Sequence, residues 1–139
     1  MKLLIAAVAA TLALSACATT APSDAQRLAL YQAHAGEPVS RVRYINPRGW
    51  DRIDDEHIVL MMRPHEQYLL RLSGPCLAWS SGAPVIGIST MSEMVLSRFD
   101  RITANGAPMG CRIDEIRPLD VAAVRVGERQ LRVQPPSGT

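Results

Sequence analysis

The sequence predicts an α+β fold: a small antiparallel β-rich domain, either a sheet or a partly open barrel, with one N-terminal helix and one disulfide. Three observations carry this. A single well-capped helical stretch opens at Ser23. Beyond Gly36 the chain breaks into short β-type runs punctuated by Gly and Pro. Two cysteines, Cys76 and Cys111, bracket several of those runs.

The first segment stands apart from this domain. After Lys2, residues Leu3 to Leu14 carry no charge and only Thr11 is polar. Such a run is too short to span a bilayer, which takes about 20 apolar residues, but it has the charge, apolar core and small-residue ending of a secretory signal peptide. Leu14-Ser15-Ala16-Cys17 resembles the lipobox of bacterial lipoproteins. That resemblance implies cleavage after residue 16 and lipidation of Cys17, with palmitate-type acyl chains at the new N-terminus. Ala18 after the cysteine, rather than Asp, implies delivery to the outer membrane. Several acyl chains together anchor durably where one does not. The expected domain plan is a lipoprotein signal peptide over 1–16, a lipidated tether over 17–22, one globular domain over 23–133 and a disordered tail over 134–139. The expected place is the periplasmic face of the outer membrane, with the membrane itself as one partner.

Within the globular part, Ser23-Asp24-Ala25-Gln26 reads as a capping box. Leu28, Tyr31 and Ala35 follow at helical spacing and Gly36 is a natural stop, which predicts a helix over 24–35, with His34 favoured near its C-terminal end by the helix dipole. Val39–Ile45 alternates, with Arg41 and Arg43 on one face and Val42 and Tyr44 on the other. Asn46-Pro47-Arg48-Gly49 is a turn. The strongest hairpin is His57–Arg63 and Gln67–Ser73 around the loop Pro64-His65-Glu66. Its expected pairs, Met62 with Tyr68, Leu60 with Leu70 and Ile58 with Leu72, make one apolar face. The other face, Val59, Met61, Leu69 and Arg71, is mixed and expected to be half covered. Ser80-Ser81-Gly82 is a loop. Pro84–Thr90 and Ser97–Ile102 read as strands with Met91-Ser92-Glu93-Met94 between them, and Asn105-Gly106 as a tight turn. Cys111–Ile116 reads as a strand and Val121–Val126 as a last one, before the Pro135-Pro136 tail.

Without residues 1–16, 123 of the 139 residues remain, enough for one domain with a core. Lys2 is the only lysine, so of 15 Lys and Arg residues 14 arginines remain against 13 Asp and Glu. This near balance argues against nucleic acid as a partner, which calls for a clustered basic excess. The absence of lysine beyond Lys2 reads first as arginine-biased codon usage in a GC-rich genome; the functional reading, bidentate capture of carboxylate or phosphate, requires the arginines to converge. With Cys17 lipidated, Cys76 and Cys111 are left, and in an oxidising compartment two leftover cysteines pair. The competing reading is a reactive thiol or a thiolate metal ligand; neither cysteine lies in a C-x-x-C arrangement or near a histidine at ligand spacing.

Searches for chemistry yield little. No G-x-S-x-G elbow and no phosphate-cradling glycine loop is present, so neither a catalytic set nor a cofactor is assigned. Asp54-Asp55-Glu56-His57 is an acidic patch with a histidine. On a strand only Asp55 with His57, or Asp54 with Glu56, would share a face; the alternative is a solvated connection before the hairpin. Met91 and Met94, with Met61, Met62 and His65, are the candidates for a copper site, since thioethers select Cu(I); methionine also serves as a core gap-filler. Trp50 and Trp79 read as core anchors or as the lining of a cleft. The expectation is a non-catalytic binding or envelope-structural module with an envelope protein as a possible partner. The rival is a copper-handling protein or a small enzyme using His57, His65 and the methionines.

Gly49-Trp50, the turn at Arg63-Pro64, Tyr68-Leu69-Leu70, Ser73-Gly74-Pro75-Cys76, Arg98-Phe99-Asp100 and Cys111 with Ile116-Arg117-Pro118-Leu119-Asp120 resemble an uncharacterised family of small Gram-negative bacterial lipoproteins, a domain of unknown function with two paired cysteines. The resemblance spans roughly residues 27–125. It implies a periplasmic location and the Cys76–Cys111 pair, and it implies no activity.

Overall fold

The computed structural model describes residues 21–78, 86–90, 94–104 and 110–133. The expected signal peptide over 1–16, Cys17, Trp79, the expected loop at 80–82, Met91, the expected turn at Asn105-Gly106 and the expected tail over 134–139 lie outside the described residues. The element order is α1 (Asp24–Ala33), β1 (Arg41–Arg43), β2 (Gly49–Arg52), β3 (His57–Arg63), β4 (Glu66–Leu72), β5 (Ile86–Ser89), β6 (Val95–Ser97), β7 (Arg101–Ala104), β8 (Cys111–Pro118) and α2 (Val121–Val133). Six strands form one antiparallel half-barrel sheet in the order β2-β3-β4-β8-β7-β5, and β1 pairs with β6 in a separate two-stranded ribbon.

Helix α1 starts as the capping box requires. The Gln26 amide donates to Ser23 Oγ at 3.2 Å and the Ser23 amide donates to Gln26 Oε1 at 2.9 Å. It ends at Ala33 with His34 as C-cap, a little short of the expected boundary. Gly36 does not cap it; its N–H donates to the Pro118 carbonyl at 2.8 Å and brings the chain alongside β8. The 39–45 alternation holds its faces, with Val42 buried and Arg41 and Arg43 exposed, although only three residues pair as β1. Asn46 takes φ 50° in the expected turn, a left-handed conformation that Asn tolerates. Beyond that turn Gly49–Arg52 pairs with β3 as an edge strand, an element with too short a run for its pattern to be seen.

The β3–β4 hairpin keeps its apolar face but not its register. Arg63 faces Glu66 across a two-residue turn, and a bulge at Met62 makes the pairs Leu60 with Tyr68 and Ile58 with Leu70. Relative to the expected pairing the shift is two residues, and an even shift leaves every side chain on its own face. Pro64 holds φ at about −65°, which excludes the turns that need positive φ there; the bulge takes up the mismatch. Ser97–Ile102 is not one strand. Buried Asp100 accepts from the Ser97 amide at 2.6 Å, which folds a turn between β6 and β7 and turns Phe99 outward, 73% exposed.

The two faces of the sheet carry two cores. On one side Ile58, Leu60, Met62, Leu70, Leu72, Ile102, Ile113 and Ile116 pack with Leu77 and with Val42 and Leu96 of the ribbon; Trp50 packs against them as an anchor. Ile113 and Ile116 both reach this core because β8 carries an extra residue, Asp114, between the pairs Leu72 with Ile113 and Arg71 with Glu115. On the other side Val59, Leu69, Ile53 and Leu119 pack under Tyr31 of α1 and Val124 of α2. Cys76 and Cys111 are joined, with 6.0 Å between their Cα atoms, tying the segment after β4 to the start of β8. A loop of 35 residues corresponds to about 3–4 kcal/mol of loop-closure stabilisation.

The expected last strand at Val121–Val126 is instead the start of α2, so the fold has a helix at each end of the chain. Valines at 121 and 124 with Gly127 recur at helical spacing and are its buried positions, a period obscured by the β-branched residues among them. Asp120 starts the helix, accepting from the Ala123 amide at 3.0 Å. Tyr31 donates to Glu128 at 2.6 Å across the two helices, and burial, then that carboxylate, push its phenol far above the ordinary range. Gly127 lets α1 and α2 approach: a Cβ there would lie 2.1 Å from Leu30 Cδ1 and 3.2 Å from its Cγ. Gly127→Val is therefore expected to cost about 1–3 kcal/mol in urea unfolding. The combined Gly127→Val, Leu30→Ala chain should lose less than the sum of the two single losses, because the clash is gone; strict additivity would refute the contact.

Candidate functional site

The helix-facing side of the sheet is only partly covered. Side chains alternate, so His57, Val59 and Met61 of β3, Leu69 and Arg71 of β4, and Glu115 and Arg117 of β8 share that face. Helices α1 and α2 cover its apolar part. The remainder is an open pocket of ≈ 330 Å³ lined by Gln32, His57, Leu69, Arg71, Glu115 and Arg117.

The sheet register builds it. His57 lies opposite Arg71, and Arg71 opposite Glu115, so three polar residues form one row across three strands. Glu115 sits between two guanidinium groups. Arg117 Nε lies 2.6 Å from Glu115 Oε1, and Arg71 Nη2 lies 3.5 Å from Oε2. The short Arg117 contact is an ion pair whose angle falls outside that of a hydrogen bond, so Nε keeps an unused donor. One carboxylate between two guanidinium groups leaves the pocket with a surplus of positive charge.

His57 closes the row and is held from behind. Asp54 Oδ1 accepts from the Glu56 and His57 amides, both at 2.8 Å, and the His57 ring Nδ1 lies 2.9 Å from Oδ1 and 3.0 Å from Oδ2. Burial raises the Asp54 carboxyl, but the Glu56 amide, the His57 ring and the His57 amide together outweigh it and hold the group below its ordinary value. This contact places the imidazole proton on Nδ1 and leaves Nε2 as the nitrogen for an occupant of the pocket. The acidic patch is a connection between β2 and β3, as in one sequence reading, but it is only partly solvated, with His57 buried at the start of β3, and neither of the side-chain pairs expected of a strand forms. The segment turns between β2 and β3, so residues three apart converge, Asp54 with His57, while Asp55 goes to Arg52.

The other expected candidates do not assemble. His65 is exposed in the β3–β4 turn, and Met94 is exposed immediately before β6. Met62 lies in one core and Met61 against the other, on opposite faces of β3. Among the described residues no three His, Cys, Asp or Glu side chains gather as a metal site needs. Cys76 and Cys111 are consumed by their bond. Sequence reasoning assigned no site role to Arg71, Glu115, Arg117 or Gln32, although it placed Arg71 on the mixed face of the hairpin. The available signal was that Arg71 interrupts an apolar strand, and that Glu115 and Arg117, two apart, must share a face.

The fold and its pocket define a small disulfide-linked α+β domain with a polar cleft on the helix side of its sheet. The chain belongs to the family of unknown function DUF6491, whose sequence profile matches residues 1–135. No curated protein and no solved structure matches it.

Asp54 gives this site a pH signature. Its folded-state pKa lies below the ordinary 3.8, so the ionised carboxylate stabilises the fold above that value, and the contribution is lost as pH falls through the folded pKa. Asp54→Ala leaves two amides and a ring N–H without an acceptor and is expected to cost about 1–3 kcal/mol in urea unfolding at neutral pH. The gap from the wild type should narrow below about pH 4. A gap that is constant down to acid would show that the carboxylate charge plays no part.

Proposed function

We propose that the protein is a periplasmic lipoprotein, held to the outer membrane through Cys17, that acts as a non-catalytic module binding an anionic group, carboxylate or phosphate, in the Arg71–Arg117 pocket. The observation that carries the binding reading is the convergence of two arginines on one carboxylate at an open pocket. An incoming anion takes the place of Glu115 between guanidinium groups whose fork geometry suits two-point contact. Gln32 and His57 add further hydrogen-bonding groups to the lining. The lipobox supports the anchor, and the Cys76–Cys111 bond fits an oxidising compartment.

The Asp54–His57 pair favours one second reading, an enzyme, because a carboxylate behind a histidine is how a general base is oriented. Binding is preferred on the chemistry of the lining. Among the described residues that line the pocket there is no Ser, Thr or Cys nucleophile, and two arginines hold an anion without one. The copper alternative finds no support in the placement of His65 and Met94.

The full-length acylated protein in detergent, titrated with inorganic phosphate and with acetate and followed by arginine side-chain NMR, tests the binding reading. The Arg71 and Arg117 Nε–H signals are expected to move together. Arg117→Gln and Arg71→Gln should each weaken binding about tenfold or more, with the urea midpoint nearly unchanged. Shifts spread over all arginines would overturn a specific site. The anchor is tested separately: Cys17→Ala should leave the protein in the soluble fraction or unprocessed, and firm membrane attachment of that variant would refute it.

A further inference from the structure

Helix α2 presents a face that the fold does not use. Its inward positions are Val121, Val124 and Gly127. Its single acid, Glu128, is also turned inward, onto the Tyr31 hydroxyl at 2.6 Å. Arg125, Arg129 and Arg132 are exposed and recur at i, i+4 and i+7, forming one basic stripe. Beside it stand Val126 and Val133, 45% and 81% exposed, seven residues apart on the same side of the helix. Arginines flanked by outward-facing aliphatic side chains are the composition of a helix that lies on an anionic lipid surface.

The path of the chain says where this face points. Ala21 and Pro22, the first described residues, line a cleft with Leu131 and Arg132 at the end of α2. Residue 21 is four peptide units from Cys17, a span under about 20 Å even when fully extended. Whatever surface holds Cys17 therefore lies within reach of the C-terminal turn of α2. The polar pocket is lined from α1 by Gln32 and by no α2 residue, so the two surfaces share no side chain.

We infer that the exposed face of α2, with Arg129 and Arg132 as its electrostatic contacts and Val126 and Val133 as its apolar ones, docks on the anionic phospholipid headgroups of the membrane that carries the lipid anchor. Arg125 frames this face from its edge, its guanidinium donating to the Pro64 carbonyl at 2.9 Å. Docking fixes which side of the domain lies against the membrane. This inference rests on acylation of Cys17.

The test uses the full acylated chain reconstituted into vesicles, with a nitroxide label at Val126→Cys and, as control, at Phe99→Cys beside the β1–β6 ribbon on the other face of the sheet. In vesicles of phosphatidylglycerol and phosphatidylcholine in equal parts, the label at 126 is expected to be shielded from a water-soluble relaxation agent and the label at 99 to stay open to it. Shielding at 126 should fall in pure phosphatidylcholine and at high salt. Arg129→Gln and Arg132→Gln should each lower the docked-to-free ratio about fivefold. Equal access at 126 and 99, or shielding that ignores lipid charge, would overturn docking while the anchor stands. The mass of the N-terminal peptide reads acylation independently, and an unmodified Cys17 would overturn the anchor and the docking together.

Discussion

The pairing of β4 with β8 is the constraint on which the rest of the molecule depends. It joins segments far apart in sequence, Tyr68–Leu72 with Ile113–Pro118, at the centre of a six-stranded sheet. The disulfide ties the same two segments at one end, where Cys76 meets Cys111. At the other end Pro118 and Leu119 receive the chain leaving α1, through the Gly36 amide and the pairing of Ala35 with Leu119. Helix α2 then begins at Val121, so its position is set by where β8 stops. Both helices and the staple are thus hung on one ladder.

The bulge at Asp114 converts that ladder into two surfaces of different character. An unbroken β8 would send Ile113 and Ile116 to opposite faces, since strand side chains alternate. One extra residue puts both isoleucines, fully buried, in the same core and keeps Glu115 and Arg117 together on the opposite face. That face is apolar where the helices lie and charged where they do not. The boundary between core and pocket therefore runs through single strands: Leu69 is buried under α1, and Arg71, two residues on, lines open space.

Much of the local structure was legible because it is set by neighbours in sequence. The Ser23 capping box, the Asn46 turn and the apolar parity of Ile58, Leu60, Met62, Tyr68, Leu70 and Leu72 all appear in the structure. Hairpin register was not legible, because a bulge is a choice between two good pairings of the same apolar pattern. The run from Val121 was misread as a strand because its β-branched residues carry strand propensity, which burial against Leu30 and Tyr31 overrides. Ser97–Ile102 was misread as unbroken because nothing local reveals that Asp100 is buried and turns the chain.

What the sequence by itself determined is whatever depends on order along the chain: an antiparallel β-rich domain behind a capped helix, and two cysteines available to pair. Only the tertiary structure decided which charged groups meet. Arg71 on β4 lies more than forty residues before Glu115 and Arg117 on β8, and their convergence follows from register and from one bulge rather than from any motif. Asp54 meets His57 because that segment turns instead of extending. The site is a property of packing, and for that reason no short stretch of the sequence spells it out.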